Sequence, residues 1–292
     1  MRQVNGRRRG TLALTLVEMV VALVLAGVVM GTLWRMLVEG RRFYRAQASA
    51  AEVQRALRDV GEVLAGELEP LDATAGDLVA LGPDSLSVRA QRSIGFVCAP
   101  PDPASGRVVV LDSLLFGYRA VDPARDRALV FSEGDPATPD DDAWLDFGVT
   151  SVSAAALCDG RAGTGLTLQG ATARLAGVAV GSPLRTYERV VYRSYRDDDG
   201  AWWLGQRALS GGAWAAISPV AGPLASGTGL ACRGLDAAGN AAGTLAGVAR
   251  VECDVRSVSA TVLQLAGGNQ RRYADSLRVG AALRNGRRGG GP

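Results

Sequence analysis

Glu18 is the only charged side chain in a run of 21 residues, Leu14 to Trp34. An ionised carboxylate in hydrocarbon costs about 3 kcal/mol or more unless it meets a partner, so such residues are rare and mark function. The chemistry open to it is pairing with a cation. Four cysteines, Cys98, Cys158, Cys232 and Cys253, form the other reactive set, and all lie beyond the apolar run. An even count in an exported domain points to disulfides, with three possible pairings. The favoured one joins Cys232 to Cys253, 21 residues apart in one patterned stretch, and Cys98 to Cys158. A zinc site is the competing reading, but the chain has no His and no Cys-x-x-Cys pair.

The apolar run needs an element to carry it. At 1.5 Å per residue, 21 residues of helix reach roughly 31 Å, the thickness of a bilayer core. Ahead of it, residues 1–13 carry Arg2, Arg7, Arg8 and Arg9 and no acid. A secretory signal would end in a small-residue cleavage site, whereas Trp34-Arg35-Met36-Leu37 continues as helix-forming sequence. The run is therefore expected to stay in the mature chain. Its basic leader faces the cytoplasm, and the rest of the chain crosses the membrane. Arg35, Arg41, Arg42 and Arg45 on the far side weigh against that orientation.

Basic leader, Ala13, Leu14, Thr15, Leu16, Val17, Glu18 and then an apolar run resembles the type III signal of type IV pilins and type II secretion pseudopilins. On this resemblance Ala13 is the last leader residue, Leu14 the first mature one and Glu18 the fifth. Two positions depart from the commonest pattern, Ala13 where Gly is usual and Leu14 where Phe is usual. Gly10 offers another cut, but it would put Thr15 in fifth place, so Ala13/Leu14 is favoured. The resemblance implies a membrane-embedded prepilin peptidase that removes the leader and N-methylates Leu14. Methylation keeps the amine cationic. It also implies that the Glu18 carboxylate pairs with the Leu14 amine of a neighbouring subunit in a filament. The partners implied are other pilin or pseudopilin subunits, the peptidase and an inner-membrane assembly platform.

Composition sets bounds. The 292 residues carry 32 basic and 29 acidic side chains, a net +3. Removing four leader arginines leaves 28 against 29, a mature charge of −1, which makes no case for nucleic acid. Arg284, Arg287 and Arg288 form too short a basic stretch to change that. Absence of His excludes His-based triads, and absence of Lys excludes P-loop and Schiff-base chemistry. No G-x-S-x-G occurs. Asp140-Asp141-Asp142 and Asp197-Asp198-Asp199 offer oxygen ligands for calcium, but neither has the spacing of an EF-hand, and both read as solvated turns. No enzyme, cofactor or metal is expected.

Further along, Val53, Leu57, Val60, Leu64 and Leu68 form one helical stripe, and Pro70 stops it. One helix over 14–69, spanning the membrane at about 14–36, would run roughly 84 Å. Gly27 and Gly31 form a small-xxx-small pair that either lets helices approach or only loosens this one. Beyond Pro70 the pattern turns to strands at 85–91, 107–112, 187–195, 201–209, 249–255 and 277–283. Arg196 to Gly200 makes a hairpin turn, and the adjacent Trp202 and Trp203 alternate, one inward and one outward. Glu133 to Asp142 and Ala221 to Gly243 read as exposed loops. The Gly- and Arg-rich tail over 286–292 reads as disordered.

The expected fold is α+β, a long N-terminal helix packed on an antiparallel β-rich domain over 70–285, pilin-like in architecture. Tyr192-Arg193-Ser194-Tyr195 before a Gly-containing turn and Leu209, with a late strand closing on Ala282-Leu283-Arg284-Asn285, is similar to the larger minor pilins of the PulJ/GspJ or PilW type. That resemblance implies a minor, filament-priming or capping subunit, single-pass in the inner membrane with its domain in the periplasm. The alternative is a binding module at the filament tip whose loops contact secreted substrate, surface or DNA.

Overall fold

The computed structural model describes residues 16–134, 137, 142–171, 174–264 and 270–283. Ala13, Leu14, the leader and the 286–292 tail lie outside them. The chain is α+β: one long apolar N-terminal helix and a large antiparallel β domain.

Helix α1 runs Leu16–Leu68, 53 residues, or roughly 80 Å at 1.5 Å per residue. Its two halves have opposite surfaces. No residue before Ser49 is buried, whereas Val53, Leu57, Val60, Leu64 and Leu68 are at most 5% exposed. Those five point into the main core, and their burial contributes about 1.5–3 kcal/mol each. Pro70 ends the helix, and the Asp72 carboxylate then accepts from the Thr74 and Ala75 amides at 2.8 and 3.1 Å, turning the chain toward the sheet.

Among the described residues fourteen strands follow, in the order β1 Leu78–Leu81, β2 Ser85–Asp102, β3 Arg107–Leu111, β4 Phe116–Gly117, β5 Asp126–Ser132, β6 Ala143–Cys158 and β7 Arg161–Leu168. Then come β8 Pro183–Arg196, β9 Trp202–Ser210, β10 Ala213–Trp214, β11 Ser218–Leu224, β12 Leu230–Leu235, β13 Arg250–Gln264 and β14 Gln270–Ala282. Two long strands organise the rest. β2 pairs with β8 from Ser85↔Arg193 to Phe96↔Pro183. On its other edge β8 pairs first with β5, over Leu184 to Glu188, and then with β9, over Val190 to Arg196.

The switch divides the sheet into two cores. Pairs β2–β3, β3–β7, β7–β6, β6–β5, β5–β8 and β8–β2 close a six-stranded antiparallel ring. Val97, Val110, Val130, Phe147, Leu166 and Leu184 fill it. Closure removes the open edges that these strands would otherwise expose. The other halves of β2 and β8 continue through β9, β11 and β13 into the sheet that carries α1.

Several expected strands are present, and two expectations are corrected. The strand expected at 85–91, which is β2, does not stop at 91. It runs to Asp102 because its second half enters the ring, where Val97 is buried. Ala221 to Gly243 is not an exposed loop: it holds the end of β11 and all of β12, with Leu224, Leu230 and Cys232 in the main core. Its Ala- and Gly-rich composition hides an alternation that burial makes plain. Trp202 and Trp203 lie on different sides of β9, and both are half-buried. Trp202 packs on the main core, while the Trp203 indole donates to Asp197 at 2.6 Å.

Candidate functional site

Glu18 stands in the first turn of α1, where the positive end of the helix dipole favours a carboxylate. Along this half of the helix Leu16, Val20, Leu23, Val24 and Met30 are each more than half exposed. One 18-residue window has mean hydropathy 2.4 and none of it is buried. By length and composition this helix is able to cross a membrane as a single pass. A Cβ added at Gly27 or Gly31 would meet only open space, so a second helix can approach there without displacing any part of this chain.

A rod that presents such a surface must be held at its far end. Arg92 on β2 does this. Its Nη1 donates to Glu67 of α1 at 3.0 Å, and its Nε donates to Glu188 of β8 at 2.9 Å. Glu188 has only 2% of its side chain exposed and also accepts from Arg119 at 3.1 Å and from Arg125. Arg119 in turn makes a two-pronged pair with buried Asp126, 2.7 Å on each side. The six side chains balance, three Arg against Glu67, Asp126 and Glu188. Burial pushes the Glu188 carboxyl up, but hydrogen bonds from Arg92, Arg119 and Arg125 outweigh it and leave its pKa below the usual 4.5.

A second ionic group ties the turn after α1 to the ring. Arg185 of β8 donates to Asp77 at 2.8 Å and lies over the Trp144 ring, 5.0 Å from its centroid. Burial raises the Asp77 carboxyl above the usual 3.8 in spite of Arg185. Neither group announces itself in the sequence. Arg92 and Glu188 are 96 residues apart, and Arg185 and Asp77 are 108 apart. No local spacing signals such pairs.

The cysteines join as Cys98–Cys158 and Cys232–Cys253. Cys232 and Cys253 are directly opposed in the β12–β13 register, with Cα atoms 4.0 Å apart, inside the main core. Cys98–Cys158 ties β2 to the end of β6, strands that share no ladder, with Cα atoms 5.6 Å apart. Such bridges contribute about 2–4 kcal/mol each and persist in oxidising compartments. Asp197 is a turn residue: its carboxylate accepts from the Ala201 amide at 2.8 Å and from Trp203, while Gly200 supplies a φ of +82°. Among the described residues no cluster of His, Cys, Asp or Glu is arranged to hold a metal. Asp140 and Asp141 lie outside the described residues.

No family model matches this sequence, and no curated protein matches it. The geometry stands on its own: a half-naked apolar rod with one carboxylate near its start, fixed rigidly at its other end to a disulfide-braced β scaffold.

Proposed function

We propose that this chain is a minor pseudopilin or minor pilin. Prepilin peptidase cuts it between Ala13 and Leu14 and methylates Leu14. The chain then assembles into, primes or caps a type II secretion or type IV pilus filament. It sits in the inner membrane by one pass of α1, with the β domain in the periplasm. Within the filament Glu18 pairs with the cationic amine of a neighbouring subunit.

The observation that carries this reading is the division of α1. An exposed apolar half bearing Glu18 runs without a break into a half whose stripe is core. A helix that served only as an anchor has no need to continue rigidly into the domain. A helix that must transmit the placement of its domain along a filament does. Two disulfides suit an oxidising compartment on the far side of the membrane.

N-terminal sequencing of the membrane-extracted chain tests the processing step. The expected first residue is N-methylated Leu14. A chain that starts at Met1, or beyond residue 34, would overturn the proposal.

A further inference from the structure

Just past the apolar span, α1 carries Arg35, Arg41, Arg42 and Arg45, with Glu39 the only acid from 35 to 45. All four arginines are exposed. The β13–β14 hairpin comes down against the same stretch: Val262 and Leu263 of β13 line a groove of about 420 Å³ with Val38, Arg41, Arg42 and Arg45 of α1. Directly across the hairpin register, Val262 faces Arg272 and Leu263 faces Arg271, which adds two exposed arginines. Among the described residues, the ion pairs of the β domain use other arginines and none of these six.

The position of this belt decides what it meets. Arg41 to Arg45 lie 7 to 11 residues beyond Trp34, which is about 10–16 Å along the helix axis. The headgroup layer occupies about the first 5–8 Å outside the hydrocarbon. Arginine stems extend back toward that layer, and a tilted helix shortens the gap. Trp34, 69% exposed, marks the edge of the span, and Phe43 and Tyr44 add exposed aromatic rings at belt level. Arginines on this side give the helix no help with orientation, since basic residues favour the opposite face. Their chemistry instead fits phosphate, which guanidinium groups bind in two-pronged fashion.

We infer that the arginine belt formed by α1 and the β13–β14 hairpin binds the anionic phospholipid headgroups of the leaflet on the domain's side of the membrane. The six arginines take the phosphates, and the apolar Val38, Val262 and Leu263 form the groove between them. This seats the domain on the bilayer before assembly and sets the rotation of α1. The inference rests on the reading of α1 as a membrane anchor.

Its test uses the full chain reconstituted in mixed phosphatidylcholine and phosphatidylglycerol vesicles, with one lipid or the other brominated on its acyl chains. Quenching of the Trp34 fluorescence then reports which lipid surrounds the span. Brominated phosphatidylglycerol is expected to quench severalfold more than brominated phosphatidylcholine at equal mole fraction. Replacing Arg41, Arg42 and Arg45 with Gln is expected to remove most of that preference and bring quenching by the two lipids close to equal. Arg271→Gln with Arg272→Gln, which leaves α1 untouched, is expected to remove a smaller part of it. Equal quenching by both lipids overturns the lipid preference and leaves the anchor intact. No quenching by either puts Trp34 outside the bilayer and overturns the anchor together with this inference. A preference abolished by inorganic phosphate but not by chloride of equal ionic strength reassigns the belt to a soluble anion, and overturns it as well.

Discussion

Replacing Glu18 with alanine is expected to abolish incorporation of this chain into filaments while leaving its β domain folded. In a low-dielectric helix bundle, removing one member of an ion pair leaves the other charge buried and uncompensated, at about 3–5 kcal/mol. That corresponds to a loss of incorporation on the order of 100-fold or more. Glu18→Gln should do nearly as badly, because the amide has the shape but not the charge. Glu18→Asp keeps the charge one methylene short and should recover part of the activity. Ser49, the first buried residue of α1, lies 31 residues beyond Glu18, about 46 Å along the helix. Thermal unfolding of the full chain in detergent should therefore be unchanged by all three substitutions. Cross-linking to neighbouring subunits in membranes, together with secretion or piliation, is the readout. An alanine variant that assembles and supports the process as well as the parent would sink the role given to Glu18.

The second large effect lies at the other end of the helix. Glu188→Ala removes one of the two carboxylates that hold buried Arg92, leaving it Glu67 alone, and frees Arg119 and Arg125 from their shared acceptor. The expected loss is about 3–5 kcal/mol, seen as a fall in Tm of roughly 6–20 °C for a domain of this size. Most of it comes from Arg92, whose side chain is 10% exposed, since Arg125 at 39% can turn to water. The pH dependence has a definite sign. The folded pKa of Glu188 lies below its unfolded value of about 4.5, so its contribution is present above that value and is lost as pH falls through the folded pKa. Asp77 works in the opposite sense, because its raised carboxyl favours the folded state as pH falls. Glu188→Gln should therefore flatten the acid limb of the stability curve as well as lower its plateau. A variant with unchanged Tm and an unchanged acid limb would show that the group does not hold the helix.

Much of the α1 region was legible because its signals are local. The stripe from Val53 to Leu68 recurs at helical spacing, Pro70 stops it, and each of its five apolar residues is core. The Arg196 to Gly200 turn was legible for the same reason, with Tyr195 opposite Trp203 across the hairpin. The ring was not. Its closing ladder pairs β2 with β8 across about 100 residues, and the run read at 85–91 shows nothing of the β2 half that enters it. The 221–243 stretch misled because Ala and Gly carry little strand signal. What fixes it is long-range: the Cys232–Cys253 bridge and the main core. The site divides in the same way. Glu18 stands out by its neighbours in sequence, whereas the Glu67–Arg92–Glu188 lock exists only once three distant elements meet.

The composition of sheared filaments tests most directly the proposal that this chain is a processed filament subunit. Filaments stripped from cells and analysed by mass spectrometry should contain this chain at low stoichiometry, with N-methylated Leu14 as its first residue. Finding the chain only in the membrane fraction with residues 1–13 still attached, and absent from filaments that other subunits have formed, would contradict the account.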